Sequence, residues 1–271
     1  MIEKIVALTK EAGVLLMKHA DEKLFCVSTK NGESGNYVTT ADIEADSFLR
    51  AGLAKLFPED EILSEETETT KIDYSKTVWM VDPLDGTKDF IHGGDGFAVI
   101  IGRCAKGIPD LGVVYAPKTG VLYFAERGKG AYCGDRRIRA SEIRDLSKAR
   151  MIVHIPYHDT TPKPSDELMR NLVVAERIPV GSVGLRCGLI AEGKAEFSLG
   201  TFFRASKWDT CGPQVILEEA GGKLTDLNGD QLHYTQKPVR WLTPYIASNG
   251  LLHDEALGIA KKIVNIKSHF S

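Results

Sequence analysis

Val78-Trp79-Met80-Val81-Asp82-Pro83-Leu84-Asp85-Gly86-Thr87 is the stretch on which the fold turns. Its first four residues are an unbroken apolar run, which predicts a short strand buried on both faces. Such a strand delivers the two acids that follow to the end of a sheet, where functional loops gather. Pro83 holds the backbone extended after Asp82 and limits the disorder of both carboxylates. Gly86 permits a tight turn, and its N–H and that of Thr87 can point outward at an anion. Two carboxylates beside such a turn make chemical sense if a divalent cation lies between them. Mg²⁺ prefers hard oxygen ligands and keeps part of its water, so a few carboxylates plus a substrate phosphate suffice. Taken alone, the segment reads as an Asp-Pro/Asp-Gly turn whose acids cap local backbone.

Two other acidic features shift that balance. Upstream, Ile62-Leu63-Ser64-Glu65-Glu66 is a short apolar run ending in adjacent carboxylates. For Glu66, plain solvation is an equal alternative. Downstream, Lys207-Trp208-Asp209-Thr210 places Asp209 where a helix N-cap would fall, a role worth roughly 1 kcal/mol. One carboxylate oxygen can cap while the other binds metal.

Working outward, Ile5, Leu8, Ala12, Leu15 and Leu16 fall on one face of a helix from about Ile2 to Ala20. A polar loop or hairpin follows over Thr29 to Asn36. Thr40 is the expected N-cap of a second helix that buries Ile43, Phe48, Leu49, Leu53 and Leu56 and ends at Pro58. Phe97 to Cys104, Leu111 to Tyr115 and Val121 to Ala125 are strand-like runs between turn signals, which predicts an antiparallel meander. The second half alternates. Strands are expected at Met151 to Ile155, Ala195 to Leu199 and Tyr245 to Ala247. Helices are expected at Ser165 to Arg177, Val183 to Glu192, Thr210 to Ala220 and Leu251 to Ile263. This pattern predicts an α+β fold of layered sheets and helices in two lobes, 1–140 and 141–271, forming one compact unit without a linker.

Composition narrows the function. The 271 residues can bury a substantial core, and 43% hydrophobic with 26% charged residues is ordinary for a globular protein. A net charge of −3 offers no basic stripe to a nucleic-acid polymer. The five cysteines form no CxxC pair and read as free thiols of a reducing compartment. No apolar run is long enough to span a membrane, and the first residues lack the pattern of a secretion signal. The expected setting is cytoplasmic, the expected partner a small phosphorylated metabolite, and the expected state a monomer or homodimer.

DPLDGTKDF (82–90) and WDTCGPQVILEEAGG (208–222) resemble the two signatures of the inositol monophosphatase superfamily. The SEE element at Glu65 and a TxxD-like element at Thr39-Thr40-Ala41-Asp42 precede them in the family's order, and GVVYAP (112–117) and ASNGLLHDE extend the similarity over nearly the whole chain. The resemblance implies the layered α-β-α-β-α fold of sugar phosphatases, with an antiparallel sheet in the first lobe and a mixed sheet in the second. It implies that Glu65, Asp82 and the Leu84 carbonyl hold one Mg²⁺, and that Asp82, Asp85 and Asp209 hold a second. A third metal near Glu65 occurs in parts of the family. Thr87, paired with Asp42 and on the side of Glu65, would polarise the attacking water, and the N–H groups of Gly86 and Thr87 would cradle the phosphate. Two cations roughly 3.5–4 Å apart stabilise both the attacking and the leaving oxygen of an in-line displacement. No Ser, Cys or His nucleophile is needed, and His92 belongs to the loop after the phosphate turn. Lithium sensitivity is also implied.

TTADIEAD (39–46), ILSEE, the extended DPLDGTKDFI and GSVGLRCGLIAEGKAEF (181–197) resemble the 3′(2′),5′-bisphosphate nucleotidase branch, which hydrolyses 3′-phosphoadenosine 5′-phosphate. The resemblance assigns substrate binding to Gly181, Ser182, Arg186 and Asp209, with Arg186 standing where the branch usually has Lys. Inositol-specific sites carry an acid shortly before the WD motif. Between Ser198 and Lys207 this chain has none and offers Phe202, Phe203, Arg204 and Lys207. Those rings could stack on a base and those cations meet a second phosphate; the opposing reading makes the rings core and the cations solvated. The alternatives are an inositol-1-monophosphatase, a promiscuous sugar or histidinol phosphatase, and a non-catalytic regulatory protein that binds metal and phosphate. The last should lack a core acid, and none is missing.

Overall fold

A computed structural model of the chain describes residues 1–30, 37–67, 72–153, 171–200, 205–235, 238–241 and 244–268. The first half runs α1 (Ile2–Glu22), β1 (Val27–Thr29), β2 (Tyr37–Thr39), α2 (Thr40–Leu56), β3 (Glu61–Ser64), β4 (Val78–Asp85) and α3 (Thr87–Ile91). It continues through β5 (Ala98–Ala105), β6 (Ile108–Ala116), β7 (Val121–Glu126), β8 (Gly130–Cys133) and β9 (Arg136–Ile138). The second half contains β10 (Arg150–Val153), β11 (Glu176–Pro179), α4 (Val183–Ala191) and β12 (Phe197–Gly200). It closes with α5 (Lys207–Glu219), β13 (Lys223–Asp226), β14 (Tyr245–Ser248) and α6 (His253–Ser268).

Strands β3 to β9 lie in sequence order in one sheet, β3 parallel to β4 and every later pair antiparallel. A mixed sheet has the order β11-β10-β12-β14-β13, and β1 pairs antiparallel with β2. Side-chain alternation along the strands sorts the core into layers. Trp79 and Val81 of β4 pack with Ile5, Leu16, Leu49 and Leu53 of α1 and α2. Val78 and Met80 face the other way, into a core shared with Cys187 and Ile190 of α4 and Cys211 and Val215 of α5. Tyr245 and Ala247 of β14 close that core from the second sheet, and Ile246 turns outward to pack under α6. The layers are therefore helices, sheet, helices, sheet, helix, as the sequence implied.

Some local expectations are corrected. The cap of α2 is Thr39, not Thr40: its hydroxyl accepts the Asp42 N–H while the Asp42 carboxylate accepts the Thr39 N–H, a reciprocal capping box. Ile43 is exposed, because the buried stripe of α2 is Ala41, Asp42, Ala45, Asp46, Leu49 and Leu53. The helix expected over 165–177 lies partly outside the described residues, and its last two positions, Glu176 and Arg177, pair with Arg150 and Met151 as strand β11.

Helix α5 rests directly on the first sheet. Gly102 and Gly112 are cross-strand partners in β5 and β6, and Gly212 of α5 lies over them. A Cβ on Gly112 would stand 2.0 Å from the Gly212 carbonyl oxygen, and one on Gly102 would stand 2.4 Å from the Gly212 nitrogen. With no side chain between them the helix backbone approaches the sheet, and this fixes the height of Asp209 over β4.

Candidate metal centre

Asp82 and Asp85 are three residues apart, so on a regular strand they would face opposite sides. The pairing of β4 with β5 shifts between them: Asp82 faces Ile100 while Asp85 faces Ala98. The extra residue is a bulge at Pro83-Leu84, which turns both carboxylates to one side. The Leu84 N–H donates to Asp82 Oδ1 at 2.9 Å and steadies that carboxylate. Gly86 has φ 95°, and a Cβ there would come 2.7 Å from the Gly96 carbonyl oxygen. Only glycine makes this turn, which leads straight into α3 with the Gly86 carbonyl accepting the Phe90 N–H.

Asp209 comes from the first turn of α5. It is the third helical residue, not the cap; Ser206 caps, and its N–H donates to Asp209 Oδ2. Glu65 follows β3, its N–H on the Val81 carbonyl at 3.1 Å. Among the described residues, Glu65, Asp82 and Asp209 are a group that could hold a metal ion, with donor oxygens all within 4.8 Å of one another. Asp85 stands beside this trio with Oδ2 engaged by the Ser182 hydroxyl at 2.5 Å and the Gly184 N–H at 2.8 Å.

The electrostatics follow from burial. Asp82 is driven well above the usual carboxylate range first by loss of water, then by Glu65, Asp85 and Asp209. Asp209 is raised by burial and then by Asp85 and Glu65. Burial also lifts Asp85, to about 6, against the pull of Ser182, Gly184 and the Arg186 charge. Buried like charges held together in this way call for a compensating cation. An all-oxygen donor set suits a hard divalent ion such as Mg²⁺.

Asp42 and Thr87 meet at the edge of the cluster. The Thr87 hydroxyl lies 3.4 Å from Asp42 Oδ1 and 3.2 Å from the Leu84 carbonyl oxygen. Burial pushes Asp42 to about 6, opposed by its hydrogen bonds from Thr39. Glu66 is not a solvated surface acid: burial and then Glu65 push it up to about 7. Lys30 explains how two such acids coexist. Its ammonium lies 2.7 Å from Glu65 Oε1 and 2.6 Å from Glu66 Oε1. Burial pulls that ammonium down, yet the two carboxylates outweigh it and hold it above its ordinary range. Nothing local in the sequence marked Lys30, since it reaches the acids from 35 residues away.

The residues expected to touch substrate are placed differently from one another. Ser182 caps α4 through the Leu185 N–H at 3.0 Å while it donates to Asp85. Arg186 is buried, with Nε on the Val180 carbonyl at 3.0 Å and Nη2 on the Gly181 carbonyl at 2.9 Å. Gly181 packs on Asp89, where a Cβ would come 1.8 Å from Oδ2. Lys207 is neither solvated nor placed to meet a second phosphate. It is fully buried, its ammonium 3.1 Å from the Tyr234 carbonyl oxygen and 5.0 Å from the centre of the Tyr74 ring. Burial lowers it to about 8. Phe202, Phe203 and Arg204 lie outside the described residues. His92 is exposed at the end of α3, its Nδ1 2.7 Å from the Lys88 carbonyl oxygen.

The model of the inositol monophosphatase family matches residues 1–265. This chain belongs to the inositol monophosphatase family. Members of that family are metal-dependent phosphatases of small phosphorylated substrates, and the acidic cluster described above is where a family metal could be held. The chain is 32% identical over 260 residues to a fructose-1,6-bisphosphatase/inositol-1-monophosphatase of Thermotoga maritima, covering 96% of this chain and 95% of that protein. It is 34% identical over 244 residues to the 3′(2′),5′-bisphosphate nucleotidase CysQ of Salmonella typhimurium, covering 88% and 95%. In structure it superposes on the extragenic suppressor protein suhB of Bartonella henselae with a TM-score of 0.84 and 29% identity, over 96% of this chain and 98% of that one. This family member is thus similar to proteins named for different substrates. No helix among its described residues is long and apolar enough to cross a membrane.

Proposed function

We propose that the chain is a Mg²⁺-dependent phosphomonoesterase of the 3′(2′),5′-bisphosphate nucleotidase type, converting 3′-phosphoadenosine 5′-phosphate to AMP and phosphate. The observation that carries the hydrolase assignment is the convergence of Glu65, Asp82 and Asp209 within 4.8 Å, with Thr87 and Asp42 at their edge. Glu65, Asp82 and the Leu84 carbonyl would hold one Mg²⁺, and Asp82, Asp85 and Asp209 would hold a second. When bound, the ions supply an acidified water and offset charge on the phosphoryl oxygens. Thr87 gives its hydroxyl proton to Asp42 Oδ1 in a hydrogen bond, which leaves its oxygen free to accept from the attacking water and orient it. Asp42, lifted to about 6 by burial, is a competent proton acceptor near neutral pH. The N–H groups of Gly86 and Thr87 open α3 without an intrahelical acceptor and face the phosphate. Gly181, Ser182 and Arg186 border the substrate, and the burial of Ser182 and Arg186 gives those two a supporting part beside Asp85. Reading 1–140 and 141–271 as two lobes puts Asp209 on one side of the site and the other acids opposite it.

The choice of substrate rests on the absence of an acid between Ser198 and Lys207 and on the 34% identity to a nucleotidase. The test compares kcat/KM for 3′-phosphoadenosine 5′-phosphate, inositol 1-phosphate, fructose 1,6-bisphosphate and histidinol phosphate, each with and without Mg²⁺. The expected result is Mg²⁺-dependent turnover led by the bisphosphate nucleotide. A lead for inositol 1-phosphate overturns the substrate, and no phosphate release from any of them overturns the enzyme.

A further inference from the structure

Helix α2 carries a second inward acid that the proposed chemistry does not use. Asp46 lies one turn beyond Asp42 on the same buried stripe and is 4% exposed. Its two carboxylate oxygens are divided between two hydroxyls. Ser64 Oγ donates to Oδ1, and Thr67 Oγ1 donates to Oδ2 at 2.6 Å. Arg50, one further turn along α2, closes the set with Nη1 3.1 Å from Thr67 Oγ1 and 3.6 Å from Asp46 Oδ2. Ser64 and Thr67 flank the Glu65-Glu66 pair immediately before and after it. A buried carboxylate loses its water and persists only where such donors replace it. The donors here all come from the segment that presents Glu65 or from the helix that carries Asp42.

We propose that Asp46 is a positioning residue for Glu65. It pins the chain on both sides of the acidic pair to the helix whose preceding turn sets Asp42 against Thr87. One rigid element thereby fixes the distance between the water-orienting pair and the metal-binding side of the site. β3 ends at Ser64, and the ladder to β4 stops with Ser64 opposite Val81. Beyond that point the Glu65 N–H still reaches the Val81 carbonyl, and the Asp46–Thr67 bond takes over the alignment. This inference rests on Glu65 being a metal ligand.

The test is calorimetric titration of Mg²⁺ into metal-free wild type, Asp46→Asn, Thr67→Val, Glu65→Gln and Asp46→Asn/Glu65→Gln, with unfolding in chelator run alongside. Partners that orient a metal ligand typically govern affinity by about ten-fold or more, so Asp46→Asn should weaken Mg²⁺ binding about ten-fold. Thr67→Val should weaken it in the same direction by less, and the double variant should bind no worse than Glu65→Gln alone. If Asp46→Asn does not fold, Thr67→Val carries the same comparison. Weak binding by Glu65→Gln with wild-type binding by the folded Asp46→Asn or Thr67→Val overturns the positioning role and leaves the metal assignment standing. So does an additive loss in the double variant. Unweakened binding by Glu65→Gln removes the metal assignment of Glu65 and the inference with it.

Discussion

Asp82 and Asp209 are close enough to share a side-chain hydrogen bond in a site that both enter almost fully buried. Two carboxylates tolerate that only when a proton or a cation lies between them. Without metal the pair therefore destabilises the fold at neutral pH. Asp209→Asn should relieve this: the amide oxygen can still accept the Ser206 N–H, while one charge disappears. The metal-free variant should be more stable than wild type by about 1–2 kcal/mol, and it should gain less stability from Mg²⁺ than wild type does, since only the ion shared by Asp82, Asp85 and Asp209 loses a ligand. Urea unfolding in chelator and in excess Mg²⁺ reads both quantities; a metal-free variant less stable than wild type defeats the idea. Asp82, Asp209 and Glu65, which the structure brings together, were picked out in the sequence through the motifs shared with the family, because each alone reads as a turn, a cap or a solvated acid. The surroundings of Arg186 and Lys207 were not legible. A cation on a long, flexible stem can face solvent, phosphate or a carbonyl, and only the packing of Val180, Tyr74 and Tyr234 around them decides.

Elements transmit these placements, and the contact of α5 with β5 and β6 is the most exacting of them. Gly112→Ala puts a Cβ 2.0 Å from the Gly212 carbonyl oxygen, with backbone on both sides and no flexible side chain to give way. The helix must lift, and Asp209 lifts with it. The expected cost is about 3 kcal/mol of stability, together with weaker Mg²⁺ binding in whatever fraction remains folded. Chemical unfolding and metal titration measure the two, and wild-type values for both would show that the helix has room to spare. Elements with a strong internal signal were readable: α1 from its apolar period, β4 to β7 from unbroken or alternating runs between turns. Those that depend on a neighbour were not. β11 has the burial pattern of an edge, mostly exposed, and it exists because β10 offers a parallel partner. β9 is Arg136-Arg137-Ile138, two charges and one apolar residue, and β13 is Lys223-Leu224-Thr225-Asp226, also with a single apolar residue. Such short, polar strands carry no periodicity to find. The bulge in β4 was equally hidden, although the pair of acids it aligns was plain.

Across the whole molecule, buried titratable groups of opposite sign set a pH dependence that metal should invert. In the metal-free protein Asp42 and Asp85 are lifted to about 6 and Glu66 to about 7, with Asp82 and Asp209 raised as well. A raised acid binds its proton more readily folded than unfolded. Its stabilising contribution is complete below the unfolded value near 4 and is lost as pH rises through the folded value. Asp42 and Asp85 each contribute on the order of 3 kcal/mol. His253 works the other way. At the start of α6 its ring is held between Thr225 and Ser248, with Nε2 2.8 Å and Nδ1 2.9 Å from their hydroxyls. Burial, then the Lys223 charge, lowers it to about 4. Its contribution is complete above 6.5 and is lost as pH falls through about 4. The acids outnumber the single histidine, so in chelator stability should decline as pH rises from 5 to 8. Bound Mg²⁺ keeps its ligands Asp82, Asp85 and Asp209 ionised and, as a nearby double charge, lowers Asp42 and Glu66 as well, leaving mainly His253 and competition of protons for the metal site. In excess Mg²⁺ stability should therefore climb from pH 5 to 7. Urea unfolding at four pH values, with chelator and with Mg²⁺, should give slopes of opposite sign. Equal slopes would mean that the buried carboxylates are not where the cation binds. His253→Asn should flatten the rising Mg²⁺ curve and steepen the falling one, because its term is present in both, which separates the histidine from the acids within one experiment.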